Sequence, residues 1–211
     1  MRNIPVFTTE NGVASLTLKE IPYKQTAYIK IQDVSELAAF LKECCDFCRG
    51  LGATKIFASG KVLDTYPVYT SVCLMQRPRE GFPATDAILV PVHDETVDCW
   101  REIYNQRMES VPNASYMTAL DGEKMLREQN GYFVYSNSEV IGIGMASGSK
   151  VNAVISVISG SGQDVLAALN GVLTGPIIEV EVATANAPAL KLYTRMGFVQ
   201  TSELSRWYRI L

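Results

Sequence analysis

Along the first third of the chain, short stretches alternate apolar with polar residues, as a strand does when it buries one face. The strands predicted in this way span 13–21, 26–34, 55–63 and 68–76. The first two are close enough to pair as a hairpin. Ser35–Arg49 instead repeats its apolar residues at helical spacing, with Ser35 as the predicted N-cap and Gly50 ending the helix. These patterns predict a small N-terminal α/β subdomain.

The next stretch, Arg77–Thr85, breaks this periodicity. It contains two prolines and a glycine, a composition typical of linkers. Proline also removes a backbone donor from any strand or helix that would cross the stretch. We therefore predict a domain boundary here, with the N-terminal subdomain at 1–85 and a second domain at 86–211.

The second domain shows a regular order of elements: strand, two helices, three strands, a glycine-containing turn, helix, strand, helix and two short strands. Its strands are predicted at 87–92, 131–136, 139–147, 151–158, 177–183, 198–202 and 206–211, and its helices at 95–109, 121–128, 163–173 and 188–196. Pro112 is expected to end the first helix, and the pair Asn137 and Ser138 to turn the chain between two strands. Because helices connect some of the strands, part of the sheet must be parallel. The predicted fold class is therefore mixed α/β.

Composition and charge narrow the function classes. Hydrophobic residues make up 47% of the chain and charged residues 19%, values typical of a globular protein. The formal net charge is -3, and no cluster of lysine and arginine could neutralise the phosphates of a nucleic acid. The N-terminus lacks the apolar core of a signal peptide, and no apolar run is long enough to cross a bilayer. These features predict a cytoplasmic protein that binds neither nucleic acid nor membrane.

Cysteine and histidine offer little for metal or redox chemistry. Cys44, Cys45 and Cys48 lie within the helical segment, which predicts reduced thiols packed in a core. The C-x-x-C spacing of Cys45 and Cys48 falls near the middle of that helix, whereas a redox motif requires an exposed helix start. His93 is the only histidine, so no metal site is predicted, and we interpret it as an ordinary loop or strand-end residue.

The most specific pattern follows the last long strand and reads NAPALKLYTRMGF at 186–198. Pro188 suits a first helical turn, and Gly197 supplies a left-handed residue that ends the helix before Phe198 returns to the core. The segment closely resembles the GNAT family of N-acetyltransferases, whose motif N-x-x-A-x-x-L-Y-x-x-x-G-F is met at every fixed position. The resemblance implies a GNAT acyl-CoA N-acyltransferase fold for 86–211, with acetyl-CoA as the cosubstrate.

The resemblance also implies roles for two residues of this helix. Tyr193 corresponds to the tyrosine that lies near the cofactor sulfur and protonates the leaving thiolate, which would make it the catalytic general acid. A phenol with a pKa near 10 can deliver a proton to a thiolate. From its position alone, Tyr193 can also be interpreted as a half-buried tyrosine beside the apolar face. Asn186 corresponds to an asparagine that contacts the cofactor, which is compatible with its interpretation as the helix N-cap.

A second feature of the family is the turn Q/R-x-x-G-x-G/A, whose backbone amides and following helix N-terminus hold the cofactor pyrophosphate. Here the corresponding stretch reads VISGSG at 157–162, so Val157 stands where the family has glutamine or arginine, and Asp164 adds a negative charge nearby. The cofactor-binding residues implied by the resemblance are Ile155, Val157, Gly160, Ser161, Gly162, Gln163, Asn186 and Tyr193. The alternative interpretation is a glycine turn with no ligand.

A general base is not evident in the sequence, although an attacking amine must be neutral. Glu179 and Glu181 alternate on one face of the strand at 177–183 and could serve if that face opens to the cleft. They could equally be carboxylates on the surface of the sheet. An amine of low pKa, or a relay through water, would remove the need for a base.

The order of elements predicted for 1–85 resembles that of the second half of an acetyltransferase fold. Because the segment carries no cofactor motif, we interpret it as a degenerate half-GNAT-like subdomain. The predicted function is transfer of an acetyl group from acetyl-CoA to an amine of a small molecule or peptide. The alternative is a GNAT-fold regulatory or interaction module that binds CoA weakly or not at all. The sequence leaves the acceptor and the oligomeric state open.

Overall fold

The contacts within a computed structural model of the chain, which describes residues 5–111 and 113–211, divide it into two compact units. Unit 1 contains the chain up to Val72 together with Glu203–Leu211, and unit 2 is Cys73–Ser202. The division therefore falls before the predicted linker at Arg77–Thr85, which lies inside unit 2. The last nine residues return to unit 1, a long-range contact that proline and glycine content could not reveal.

Unit 1 is an α/β unit. Its elements are β1 (Val6–Thr9), β2 (Gly12–Thr17), α1 (Ile21–Lys24), β3 (Thr26–Val34), α2 (Leu37–Gly50), β4 (Lys55–Ser59), a 3-10 turn (Lys61–Leu63), the start of β5 (Val68–Pro78) and the end of β11 (Val199–Arg209). The order of strands in its sheet is β1-β2-β3-β4-β11. Strands β2 and β3 form the predicted hairpin, and β3 runs parallel to β4 through the α2 crossover. The β1 strand was not predicted, because four residues offer too short a pattern.

Two predictions about unit 1 concern α2: its N-cap and its buried face. The predicted N-cap at Ser35 is wrong: the cap position is Glu36, and the Ser35 hydroxyl donates to the carbonyl of Asn11 at 3.1 Å instead. The packing of the cysteines is confirmed, because Cys44, Cys45 and Cys48 are all buried. Burial raises the pKa of the Cys44 thiol to about 12, so that thiol stays protonated at neutral pH.

Unit 2 contains a sheet in which β5, β10, β9, β8, β7 and β6 follow one another. Its complete elements are β6 (Ile88–Pro91), α3 (Val97–Met108), α4 (Ala119–Glu128), β7 (Gly131–Ser136), β8 (Glu139–Ser147), β9 (Lys150–Ser156), α5 (Gly162–Leu169), β10 (Ile177–Ala183) and α6 (Ala187–Arg195). The two short strands predicted at the end of the chain are one strand, β11, and the α5 helix ends earlier than predicted. The predicted helix end at Pro112 lies outside the described residues.

The sheet of unit 2 is packed on both faces. Trp100 of α3 and Met125 of α4 form one apolar cluster with Phe133, Ile143 and other side chains of the strands. Helices α5 and α6 contribute to a second cluster with Val134 of β7 and the alternate apolar residues of β10. Strands β6 to β9 are antiparallel, and β10 runs parallel to β9. The α5 helix is therefore held against the strands from which the glycine turn departs.

Gly142 on β8 allows α5 to approach the sheet closely. A Cβ atom at this position would lie 2.3 Å from Cγ2 of Val165 on α5 and 2.6 Å from the carbonyl oxygen of Ile155 on β9. Both distances are far below van der Waals contact, and the second involves backbone that cannot rotate away. Glycine is therefore required here to set the distance between α5 and the sheet.

We expect Gly142→Ala to lower the free energy of unfolding by about 2 kcal/mol, because the added methyl group overpacks the α5 interface. Urea unfolding of the variant and the wild type measures this difference. Gly50→Ala is the matched control, because a Cβ there meets nothing within 4 Å. A Gly142→Ala protein as stable as the wild type would contradict the close packing of α5.

Candidate functional site

The parallel strands β9 and β10 pair over a short length and then separate. Lys150 lies opposite Glu179 and Val151 opposite Val180, and these are their only register pairs within the described parts of the chain. Beyond them, both strands continue without hydrogen bonding to each other. Parallel strands normally satisfy their backbone groups by pairing, so the separation opens a gap lined by backbone donors and acceptors.

A cavity of about 570 Å³ lies at this gap. Its wall combines the end of β9, the glycine turn, the start and outer face of α6, and the end of α3. Of the predicted site residues, the cavity brings together Ile155, Gly160, Gly162, Gln163, Asn186 and Tyr193. Val157 and Ser161 do not line it, and their assignment to cofactor binding stays a prediction.

Ser161 fixes the shape of the glycine turn. Its buried hydroxyl lies 2.7 Å from the carbonyl oxygen of Ile141 and 2.8 Å from that of Ile158, although a hydroxyl has one proton to donate. Gly160 just before it has φ of +89°, a left-handed conformation that side chains disfavour. The sequence of the turn therefore directs the chain from β9 into α5, and the Ser161 side chain does not cap the helix.

The first turn of α5 leaves backbone N–H groups at the cavity. The first three amides of an α-helix, here those of Gly162, Gln163 and Asp164, have no acceptor within the helix. No other acceptor is recorded for them among the described residues. Gly162 and Gln163 line the cavity, so their donors and the positive end of the helix dipole are available to an anion there.

The backbone of Val157 is already engaged. Its N–H donates to the carbonyl of Ile141 on β8 at 2.9 Å, and its own carbonyl accepts from Nη2 of Arg107 at 2.9 Å. Because successive N–H groups of a strand point to opposite sides, the N–H of Ser156 points away from β8, toward the side on which β10 has separated. Ser156, which the prediction did not include, lines the cavity and is the better backbone donor.

Asn186 caps the α6 helix from the wall of the cavity. Its Oδ1 accepts from the backbone N–H of Ala189 at 3.3 Å, and Leu190 donates to its carbonyl at 3.1 Å. The predicted N-cap is confirmed. Oδ1 is occupied by the cap, so the Nδ2 group is the part of the side chain left to donate into the cavity.

Tyr193 lies in the last turn of α6 with its ring in the apolar cluster. It is buried at 7% exposure and contacts Phe198 with ring centroids 5.7 Å apart, yet it also lines the cavity. Burial raises the pKa of the phenol to about 12, because the charged form would lose its solvation. Tyr193 is therefore both a core residue and a protonated donor at the edge of the cavity.

Three positive side chains line the same cavity. They are Arg107 at the end of α3, and Lys191 and Arg195 on α6. None of the lining residues is acidic, and none of the three cations makes a salt bridge within residues 5–111 and 113–211. Asp164 is absent from the wall, and its carboxylate accepts from the hydroxyl of Thr85 at 3.2 Å. This positive charge was not predicted from the sequence, because a basic residue was expected only within the turn.

The two predicted candidates for a general base lie outside the cavity wall. Glu179 accepts from Nε2 of Gln76 at 2.6 Å, and Glu181 pairs with Lys150 on β9. Both side chains therefore have partners on neighbouring strands, as expected for carboxylates on the surface of the sheet. A role for either as a base stays a prediction.

His93 and the remaining polar groups do not form a second site. The exposed His93 follows β6, and its carbonyl accepts from Thr96 and Val97 at the start of α3, as expected for a loop residue. Across the described chain, no group of three or more histidine, cysteine or acidic residues could hold a metal ion. The helices that the structure describes are also too short or too polar to span a membrane.

Comparison with known proteins identifies the fold. The sequence matches no family model and no curated protein. A conserved protein of unknown function from Staphylococcus epidermidis resembles the structure with a TM-score of 0.58 and 13% identity, over 99% of this chain and 94% of that chain. A proposed acetyltransferase from Pyrococcus horikoshii resembles it with a TM-score of 0.54 and 13% identity, over 95% of this chain and 69% of that chain. A tandem GNAT protein of clavulanic acid biosynthesis resembles it with a TM-score of 0.52 and 13% identity, over 93% of this chain and 78% of that chain.

At this level of identity, the structural similarity shows the fold alone. The chain has the mixed α/β fold of the GNAT acyl-CoA N-acyltransferases, and the predicted fold class is confirmed. The separated β9 and β10, with a glycine turn at one strand and the tyrosine helix after the other, are the parts of this fold that form the cavity. The interpretation of the N-terminal segment as a degenerate half-domain stays a prediction.

The raised pKa of Tyr193 predicts a pH dependence of stability. Below pH 10 the phenol is protonated in the folded and the unfolded chain, so its contribution to stability is complete. As the pH rises from 10 through about 12, the unfolded chain releases this proton first, and that contribution is lost. The stability advantage of the wild type over Tyr193→Phe should fall by up to about 3 kcal/mol.

Urea unfolding of both proteins at several pH values between 9 and about 12 measures this effect. Tyr66→Phe, which removes an exposed phenol, is the control for other groups that titrate in the same range. A difference between wild type and Tyr193→Phe that stays constant with pH would contradict the burial of the phenol.

Proposed function

We propose that this protein is an N-acetyltransferase that transfers an acetyl group from acetyl-CoA to an amine of a small molecule or peptide. The observation that carries this proposal is the meeting of three features at one cavity. These are the gap between β9 and β10, the unpaired amides at the start of α5, and the two motif residues of α6, Asn186 and Tyr193. The GNAT fold supports the proposal, because it is a fold of acyl-CoA-dependent enzymes.

The donor groups at the cavity fit the chemistry of acetyl-CoA. The amides of Gly162 and Gln163 suit the pyrophosphate, because they are unpaired donors at the positive end of a helix. The backbone of β9 around Ser156 suits the amide-containing arm, which can pair with the strand as β10 would have done. The Nδ2 group of Asn186 can donate to the same arm.

Tyr193 is the proposed general acid. Acetyl-CoA supplies a thioester, whose carbonyl carbon is attacked by a neutral amine and whose sulfur departs as a thiolate. The Tyr193 phenol donates its proton to that sulfur, and the proton that the amine loses as the amide forms passes through water to the Tyr193 phenolate, which restores the phenol. A pKa of about 12 keeps the phenol protonated at every physiological pH, so Tyr193 always carries the proton that it donates.

The attacking amine must lose its proton before or during the reaction. No carboxylate or imidazole lines the cavity within the described residues. We propose that the acceptor is neutral when it attacks, either because its own pKa is low or because water carries the proton to Glu179 or Glu181. A pH-rate profile that follows the pKa of each acceptor amine would support the first of these routes.

Calorimetry with acetyl-CoA, followed by a CoA-release assay with a panel of amines, tests the proposed function. We expect saturable binding, turnover with at least one amine, and a fall in kcat of about 100-fold in Tyr193→Phe without weaker acetyl-CoA binding. Tyr66→Phe is the control variant. Full turnover by Tyr193→Phe would rule out the general-acid role. If the wild type binds no acetyl-CoA, the proposal fails and the regulatory or interaction module becomes the better description.

A pair of variants separates the two roles of Asn186. Asn186→Ser keeps a side chain that can cap α6, so the protein should remain as stable as the wild type while binding acetyl-CoA more weakly. Asn186→Ala should lose the contact with acetyl-CoA, and its free energy of unfolding should fall by about 1 kcal/mol. Thermal unfolding and calorimetry measure the two effects. Wild-type affinity in Asn186→Ser would show that Asn186 serves only as a cap.

A further inference from the structure

A positively charged side chain at the end of α3 lies beside the start of the glycine turn. Arg107, the penultimate residue of α3, donates through Nη2 to the carbonyl oxygen of Val157 at 2.9 Å. Val157 is the first residue after β9, three positions before Gly160. The hydrogen bond therefore holds the guanidinium beside the turn, although Arg107 is 50 residues away in sequence.

The guanidinium has donors to spare. An arginine side chain carries five N–H donors, and the bond to Val157 is the one hydrogen bond that the described structure assigns to the Arg107 side chain. No carboxylate in residues 5–111 and 113–211 forms a salt bridge with it, and the side chain is exposed at the cavity. A group with this geometry can bind a phosphate through two parallel hydrogen bonds.

The surroundings of Arg107 favour a ligand with more than one negative charge. Lys191 and Arg195 present two further cations without a salt bridge in the described residues to the same cavity from α6, and Gly162 and Gln163, whose amides have no acceptor within α5, line it as well. Acidic side chains are absent from the lining residues. Charged groups of one sign without counterions repel one another, so an anion that bridges them lowers the free energy of the site.

We propose that Arg107 binds the diphosphate of CoA and supplies, from helix α3, the charge that the glycine turn itself lacks. The inference rests on the proposed function, because it concerns the same cavity. It adds a ligand from outside the turn and the motif helix, and it makes the phosphates of the donor the main determinant of affinity. The hydrogen bond to Val157 holds the arginine in place before the ligand arrives, which reduces the entropy lost on binding.

Three ligands of decreasing charge test this role by calorimetry: CoA, dephospho-CoA, which keeps the diphosphate, and pantetheine, which has no phosphate. We expect Arg107→Ala to weaken the binding of CoA and dephospho-CoA by roughly tenfold each, and to leave pantetheine unchanged. Arg107→Lys should show an intermediate loss, because it keeps the charge without the paired donors. Arg127→Ala is the matched control, since Arg127 is an exposed arginine of α4 outside the cavity.

An equal loss of affinity for all three ligands in Arg107→Ala would overturn the proposal and indicate a structural role. No loss for any ligand, or a loss confined to CoA, would overturn it as well, because the diphosphate would not be the group bound. The salt dependence of the wild type gives a second measurement that needs no variant. Its preference for dephospho-CoA over pantetheine should fall as sodium chloride is raised, and a preference that is independent of salt would contradict the proposal. A wild type that binds none of the ligands would overturn the proposed function itself.

Discussion

The candidate site depends on the point at which β9 and β10 stop pairing. Up to Val151 and Val180 the two strands are ordinary parallel neighbours, and beyond these residues each continues alone. The backbone groups that a neighbouring strand would normally satisfy then face a cavity. The glycine turn leads from the end of β9 into α5, and the chain after β10 leads into α6. One interruption of pairing therefore brings the start of two helices and a strand edge to the same space.

Packing on both helices holds this arrangement in place. Gly142 lets α5 press against β8 and β9, and the Ser161 hydroxyl contacts the sheet at Ile141. At the other end of α6, Arg77 donates to the carbonyl of Met196, and its guanidinium lies 4.3 Å from the centroid of the Phe82 ring. A cation at a helix C-terminus stabilises the helix dipole, so α6 is held at both ends, by Asn186 and by Arg77.

One part of the cavity wall is positively charged and another part is apolar. Cations from two helices line the cavity, whereas the Tyr193 phenol lies in an apolar cluster that keeps it protonated. Such a division suits a donor with a charged end and a neutral reactive end, because each end meets the surroundings that stabilise it. Under the proposed function, the affinity comes from one part of the ligand and the reaction takes place at another, as enzymes commonly use remote binding energy.

Local sequence patterns predicted most of the elements and the motif helix. The bounds of β3, β8 and β10 agree with the predicted segments, and α6, its Asn186 cap and the end before Gly197 follow from local pattern. Alternation, capping and left-handed glycines act within a few residues, so they can be detected in a single sequence. The resemblance of one 13-residue segment then carried the fold class, which the structural comparisons confirmed.

The surroundings of that helix depend on contacts between segments that are far apart in the chain. The Arg107 side chain reaches Val157 across 50 residues, the end of β11 belongs to unit 1, and Ser35 bonds to Asn11 instead of capping α2. The physical reason is the same in each case. Contacts between distant segments depend on how helices and strands pack, and neither hydrophobic periodicity nor the composition of a turn encodes the distance between two side chains far apart in the chain.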